Sequence, residues 1–285
     1  MTVALDKERA RMRCHVTGEK PIQTRRAIAS VPPGRLVAEP SPDLVALTGR
    51  FLEANPILLE RDGRRLITSV SADTSTLKIA LGDAKDLVQL AEMFPLFTGG
   101  APDFSGTEGL RLADPRKSHD RQDPVLIRLG STATIQLSGV SDRVLRREVQ
   151  QRMNAHPSVT SFVLGEQREN WMPHEEEEVP HRFEARLRAH AFALTHVRAF
   201  DLLNPLQIRT WSGKGGLHAE LEVIEPSTVD SSQFREVLEG FCGVKVSGGV
   251  GTDLQVDVGE GAVITIRFES ARHLHLAGRR LLSRD

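Results

Sequence analysis

Two stretches in the second half of the chain follow one plan, and that repetition limits the available folds more than any other feature. ATIQLSGVSDRVLRREVQQRMNAHPSVTSFVLGEQ (133–167) and LHAELEVIEPSTVDSSQFREVLEGFCGVKVSGGVGTDLQVDV (217–258) each read as an alternating strand, a polar helix start, a short amphipathic helix and a second strand. Arg147-Glu148-Val149 and Arg235-Glu236-Val237 fall at matching places in the two helices. A repeated strand–helix–strand unit implies helices packed on antiparallel sheet.

The fold expected from this pattern is α+β, with tandem ferredoxin-like modules built from βαβ repeats and preceded by a small α+β domain. The boundaries that follow are 1–97 for the N-terminal domain, 98–124 for a linker, and 125–205 and 206–285 for the two modules. The spacing in 133–167 resembles heavy-metal-associated and ring-building ferredoxin-like modules, although the metal-binding CxxC of the former is missing. Such a resemblance carries architecture and leaves function to the site.

Along the first region, a charged helix is expected around Asp6–Arg13, then a loop at Val31-Pro32-Pro33-Gly34. Ser41-Pro42-Asp43 is a helix start, with serine at the cap and proline at the first helical position. Leu44, Val45, Leu47, Phe51 and Leu52 form the apolar stripe of that helix. ILLERDGRRLITSV (57–70) reads as a hairpin turning at Asp62-Gly63. A strand near Leu77–Leu81 and a helix over 83–94 complete the domain. Residues 98–124 hold glycine, proline and charge with little to bury, which is why they read as a linker. One long or bent strand is expected from Leu126 to about Val140, then a helix capped by Ser141 with Val144, Leu145, Val149 and Met153 on one side. For 181–200, alternation of Phe183, Ala185, Leu187 and Ala189 with charged residues favours a strand in the first half, against an alanine content that favours a helix. A short terminal helix is expected over 270–282.

Composition bounds the partners. The 285 residues are 39% hydrophobic and 26% charged, with a net charge of −1, so no global field draws the chain to nucleic acid or to an anionic membrane. Two distant cysteines, Cys14 and Cys242, make neither a disulfide framework nor a CxxC metal site, and a reducing cytoplasm is the expected location. No apolar run reaches membrane-spanning length. Cys14-His15 is expected on a strand, where neighbours point to opposite faces and cannot act as a dyad.

Trp211-Ser212-Gly213-Lys214-Gly215-Gly216-Leu217-His218 is the sharpest local motif. Three glycines and a lysine before a strand present backbone N–H groups to a phosphate. The string resembles one in domain III of translocating elongation-factor GTPases, where it is structural. It also resembles the small-residue loop of archaeo-eukaryotic primase-polymerases, which leads to a nucleotide-contacting histidine. The second resemblance implies phosphate or nucleotide contacts by Ser212, Gly213, Lys214, Gly215 and His218. That family also needs a DxD metal pair on an earlier strand, and none lies between Pro124 and Trp211.

Glu220 and Glu222 alternate on the strand that His218 opens, and His273-x-His275 would share one face if extended, so these four are the candidate metal ligands. Neither spacing matches HExxH or a zinc ribbon, and the plain alternative is a solvated polar sheet face. Arginine outnumbers lysine thirty to seven. Arg11, Arg13, Arg25, Arg26, Arg279 and Arg280 are the candidate surface cations near the two ends. Glycine-rich segments at 248–251 and 259–261 resemble those of RNA-processing ferredoxin-like proteins of CRISPR systems, but without the adjoining basic residues.

No complete catalytic set can be assembled from these parts. The expectation is a non-catalytic binding or assembly component of an intracellular, bacterial complex, contacting protein or nucleic acid or forming a homo-oligomer, with no cofactor. The alternatives are a nucleotide- or divalent-metal-dependent enzyme around Lys214 and His218, or an RNA-binding ferredoxin-like protein.

Overall fold

The computed structural model describes residues 2–32, 36–54, 67–82, 90–91, 94, 96–98, 107, 109–114, 123–155, 159–162, 184–195, 207–212, 218–225, 234–236, 238–239, 244–248, 253–258 and 263–270. Helices and sheets mix, as the α+β expectation requires, and the elements fall into two compact units.

The unit from the middle of the chain opens with α3 (Pro42–Ala54). Its entry is the one the sequence signals: Ser41 Oγ accepts a hydrogen bond from the Leu44 amide at 3.2 Å, satisfying an orphan donor of the first turn. Leu44, Leu47, Phe51 and Leu52 are all buried, so the apolar stripe is the packed side. Five strands follow in one sheet: β1 (Ile67–Ala72), β2 (Thr76–Leu81), β4 (Leu110–Leu112), β5 (Val125–Arg128) and β6 (Thr134–Ser138), ordered β1-β2-β6-β5-β4. The central pair β2–β6 is parallel and the other pairs are antiparallel. Leu77, Ile79, Ile135 and Leu137 from that pair are fully buried, as are Leu145 and Val149 from α4 (Asp142–Asn154). A separate two-stranded ribbon joins β3 (Leu96–Thr98) to β7 (Val159–Phe162).

Two sequence expectations are corrected in this unit. The long or bent strand expected over 126–140 is a hairpin of two strands. Gly130 adopts φ +71° and the Ser131 amide bonds Arg128 O at 3.1 Å, so the chain reverses between β5 and β6. Part of the 98–124 span is no linker either, because Leu110, Arg111 and Leu112 form a buried strand of the sheet. Three residues inside a polar stretch are too few to show a period. Ser141 does stand at the N-cap of α4, but without a side-chain capping bond. The hairpin expected at Asp62-Gly63 and most of the helix expected over 83–94 lie outside the described residues.

The second unit contains α1 (Thr2–Thr17), α2 (Pro21–Ile28) and α5 (Glu184–Thr195), with β8 (Gln207–Ser212), β9 (His218–Glu225), β10 (Val246–Gly248), β11 (Leu254–Asp257) and β12 (Val263–Ser270). Its sheet runs β10-β11-β12-β9-β8, with β9 and β12 parallel and the remaining pairs antiparallel. Ile264, Ile266 and Val256 are fully buried. Helix α5 packs against β8, β9 and β12. The strand expected for its first half is thus a helix. Alanines at 185, 189, 191 and 193 are strong helix formers. Ala189, Ala191, Phe192, Ala193 and Leu194 are all buried, which is burial on every side rather than alternate burial. The expected terminal helix lies outside the described residues.

The two sheets share one strand plan. In each, a hairpin (β1–β2; β8–β9) is followed by an antiparallel meander (β4–β5–β6; β10–β11–β12), and the last strand of the meander pairs parallel with the second strand of the hairpin. A helix precedes the hairpin in both cases, α3 and α5. Among the described residues neither sheet shows the β-α-β-β-α-β order expected from the sequence. The equivalences also differ: β6 takes the place of β12, and β9 that of β2. The echoed arginines accordingly do different things. Arg147 is largely exposed beside Glu148, whereas Arg235 donates to Val246 O at 2.8 Å.

Candidate functional site

The best-defined polar construction among the described residues is the helical hairpin α1–α2. Gly18 follows α1 with φ +71° and its amide returns to Cys14 O at 2.9 Å, a left-handed cap that turns the chain sharply. Thr17 Oγ1 donates to Arg13 O at 2.8 Å and accepts from the Glu19 amide at 3.2 Å, tying both sides of the turn. Gln23 Oε1 then accepts from the Lys20 amide at 3.1 Å, reaching back over the first turn of α2.

Two of the α1 arginines fix the hairpin to the chain beyond it. Arg13 donates Nε to Glu19 Oε2 at 2.7 Å and Nη2 to Glu19 Oε1 at 2.9 Å, and its Nη1 reaches Leu36 O at 2.9 Å. Both partners are buried, so this is a desolvated bidentate pair. Arg13 was expected among the surface cations and is instead a structural bracket. One helical turn earlier, Arg9 donates to Pro32 O at 2.8 Å and to Val31 O at 3.3 Å. Cys14 is on this helix rather than on a strand, and its Sγ donates to Glu19 O at 2.9 Å.

The outer side of α2 is different in kind. Thr24 and Ile28 are buried, while Ile22, Arg25, Arg26 and Ala29 at the complementary helical positions are exposed. Ile22 is 68% exposed, and it is the only large apolar side chain among the described residues to stand out in this way. On α1, Arg11 is exposed but faces Glu8 at 4.0 Å, and Lys7 lies between the exposed Asp6 and Glu8. The positive character is therefore concentrated on α2.

The other candidates distribute as follows. Ser212 closes β8 opposite Ala219. His218, Glu220 and Glu222 sit on β9 at the register positions beside Val263, Thr265 and Arg267 of β12. The same register puts Glu222 between Arg209 of β8 and Arg267, and Arg267 is ion-paired with Asp253 at 3.5 Å. Gly213, Lys214, Gly215, His273, His275, Arg279 and Arg280 lie outside the described residues. Among the described residues no three His, Cys, Asp or Glu side chains gather as a metal site would require. No helix among them is long and apolar enough to cross a membrane.

Sequence reasoning missed α2 as a helix and so missed Ile22. Pro21 at the first helical position, with Gln23 behind it and arginines five and six residues after Lys20, was the available signal.

No family model, curated protein or solved structure matches this chain.

Proposed function

We propose that the chain is a non-catalytic binding or assembly component, and that the outer side of α2 is its contact surface. The observation that carries this reading is the exposure of Ile22 beside Arg25 and Arg26 on a helix whose other side buries Thr24 and Ile28 and whose preceding turn is held by the buried Arg13–Glu19 pair. Exposing a β-branched apolar side chain brings no folding benefit to a lone chain. Arginines in the last turn do stabilise the helix dipole, but that role does not call for an isoleucine one turn before them. A rigid backbone beneath the exposed residues also lowers the entropy that a partner must overcome.

The sheets supply the scaffold. Their common strand plan supports reading the two halves as copies of one duplicated unit, in the spirit of the tandem modules expected from sequence. With only two cysteines and Cys14 a free thiol, a cytoplasmic complex is the setting that fits this reading.

The test is site-specific photo-crosslinking in cells of the source organism. A photoreactive residue at position 22 should trap discrete products that are absent with the probe at exposed Thr68 on β1. Equal labelling from both positions, or none from position 22, would remove this surface as the site of assembly.

A further inference from the structure

The occupant of the α2 surface can be narrowed by its chemistry, an argument that rests on the contact-surface reading above. We propose that it is a protein segment rich in carboxylates with an apolar side chain among them, and not a nucleic acid. Two observations favour this choice. First, the exposed cations of α1 and α2 do not form a track. Arg25 and Arg26 stand together on α2 with Lys20 before them, but on α1 the exposed Lys7 and Arg11 alternate with exposed Asp6 and Glu8. A phosphate backbone carries charge at every step and is met by an extended run of cations, which acidic residues would interrupt. A few carboxylates match a patch of this size, and each arginine fork can take one bidentately.

Second, the patch has an apolar centre. Ile22 lies one helical turn before Arg25 and Arg26, so the three share one side of α2 with Ala29 beyond them. Arginine around an apolar anchor is the composition of protein interfaces, in which lysine is depleted. Nucleic-acid recognition of single strands instead uses exposed aromatic rings, and no large aromatic side chain is exposed among the described residues. An amphipathic acidic helix laying one apolar residue against Ile22 would bring its flanking carboxylates to Arg25 and Arg26.

The full chain is titrated with three fluorescent probes: a short helical peptide of glutamates with leucine at every third or fourth position, the same peptide with lysine for glutamate, and a short DNA duplex. The acidic peptide should bind at least about tenfold more tightly than either alternative. The R25E/R26E variant should lose at least about tenfold of that affinity. Ile22→Ala should lose about three- to tenfold. Ile22→Ala should keep the wild-type melting profile because that side chain is exposed, and R25E/R26E should lower it only slightly, since two carboxylates in the last turn oppose the dipole of α2. Tighter binding of the duplex, equal binding of all probes, or no loss in R25E/R26E would overturn the proposal. If position 22 crosslinks in cells while the acidic peptide fails here, the surface stands and its assigned chemistry falls. If position 22 never crosslinks, the contact surface itself falls.

Discussion

Arg13 and Glu19 clasp each other across the α1–α2 turn through two parallel hydrogen bonds, 2.7 Å and 2.9 Å long, with both side chains withdrawn from solvent. Neither charge can be removed alone without stranding the other. Glu19→Ala is expected to cost about 3–5 kcal/mol, read as a lower urea midpoint at unchanged slope. Replacing both residues by apolar ones of similar size, Arg13→Met with Glu19→Leu, should restore most of the loss. Recovery would be incomplete because Leu36 O would lose its donor. A single variant as stable as the wild type would show that the bracket does not hold the hairpin.

Gly139 should be intolerant of any side chain. It has φ +88°, and a Cβ there would lie 2.5 Å from Leu81 O, at the end of the parallel β2–β6 pair. The left-handed backbone alone costs roughly 1–2 kcal/mol in a non-glycine residue, and the overlap with a backbone oxygen adds about 1–3 kcal/mol. Gly139→Ala is therefore expected to lower the melting temperature by many degrees. Gly109, with φ +71° but only Arg128 Cγ at 3.8 Å, should lose just the backbone part.

Arg152 reaches out of α4 to donate through Nη1 to Ala91 O at 2.9 Å and Phe94 O at 3.0 Å. Arg152→Ala should destabilise by about 1–3 kcal/mol. The effect should show as faster amide hydrogen exchange around residues 91–94 before global unfolding. Unchanged exchange there would mean that the two carbonyls are satisfied without it.

Helix α5 offers a test of close packing. Ala193 is fully buried, and all the described side chains around it on α5 are buried too. Ala193→Leu should cost about 1–3 kcal/mol through overpacking, whereas Glu236→Ala at an exposed position should stay within about 0.5 kcal/mol of the wild type. Equal tolerance at both positions would contradict the tight seat described for α5.

What could be read from the sequence divides by range of interaction. The α3 start was legible because Ser41 and Pro42 act on their own neighbours, and its stripe because Leu44, Leu47, Phe51 and Leu52 repeat over several turns. The α+β class was legible for the same reason. β4 was hidden because Leu110-Arg111-Leu112 is shorter than any period, and its strand character comes from pairing with β5. In α5, Ala185 and Ala189 satisfy both a two-residue and a four-residue spacing, and only burial on all sides decides between them. At the candidate site, Arg25 and Arg26 were legible as exposed cations. Arg13 was not separable from them, since its burial depends on the left-handed turn at Gly18 that delivers Glu19.

The division of the chain also bears on how the protein is made. The unit that holds α1 and α2 also holds α5 and β8–β12, whereas α3, β1–β7 and α4 form the other unit between them in sequence. A ribosome releases α1 and α2 before the other elements described, yet the sheet of their own unit is not finished until β12 emerges. The middle unit has every described strand in hand well before then and is free to close early. During that interval the hairpin depends on bonds within its own stretch of chain, and the contacts of Arg9 and Arg13 with Val31, Pro32, Leu36 and Glu19 are of that kind. The helical hairpin, made well before the rest of its unit, meets that wait with fastenings of its own.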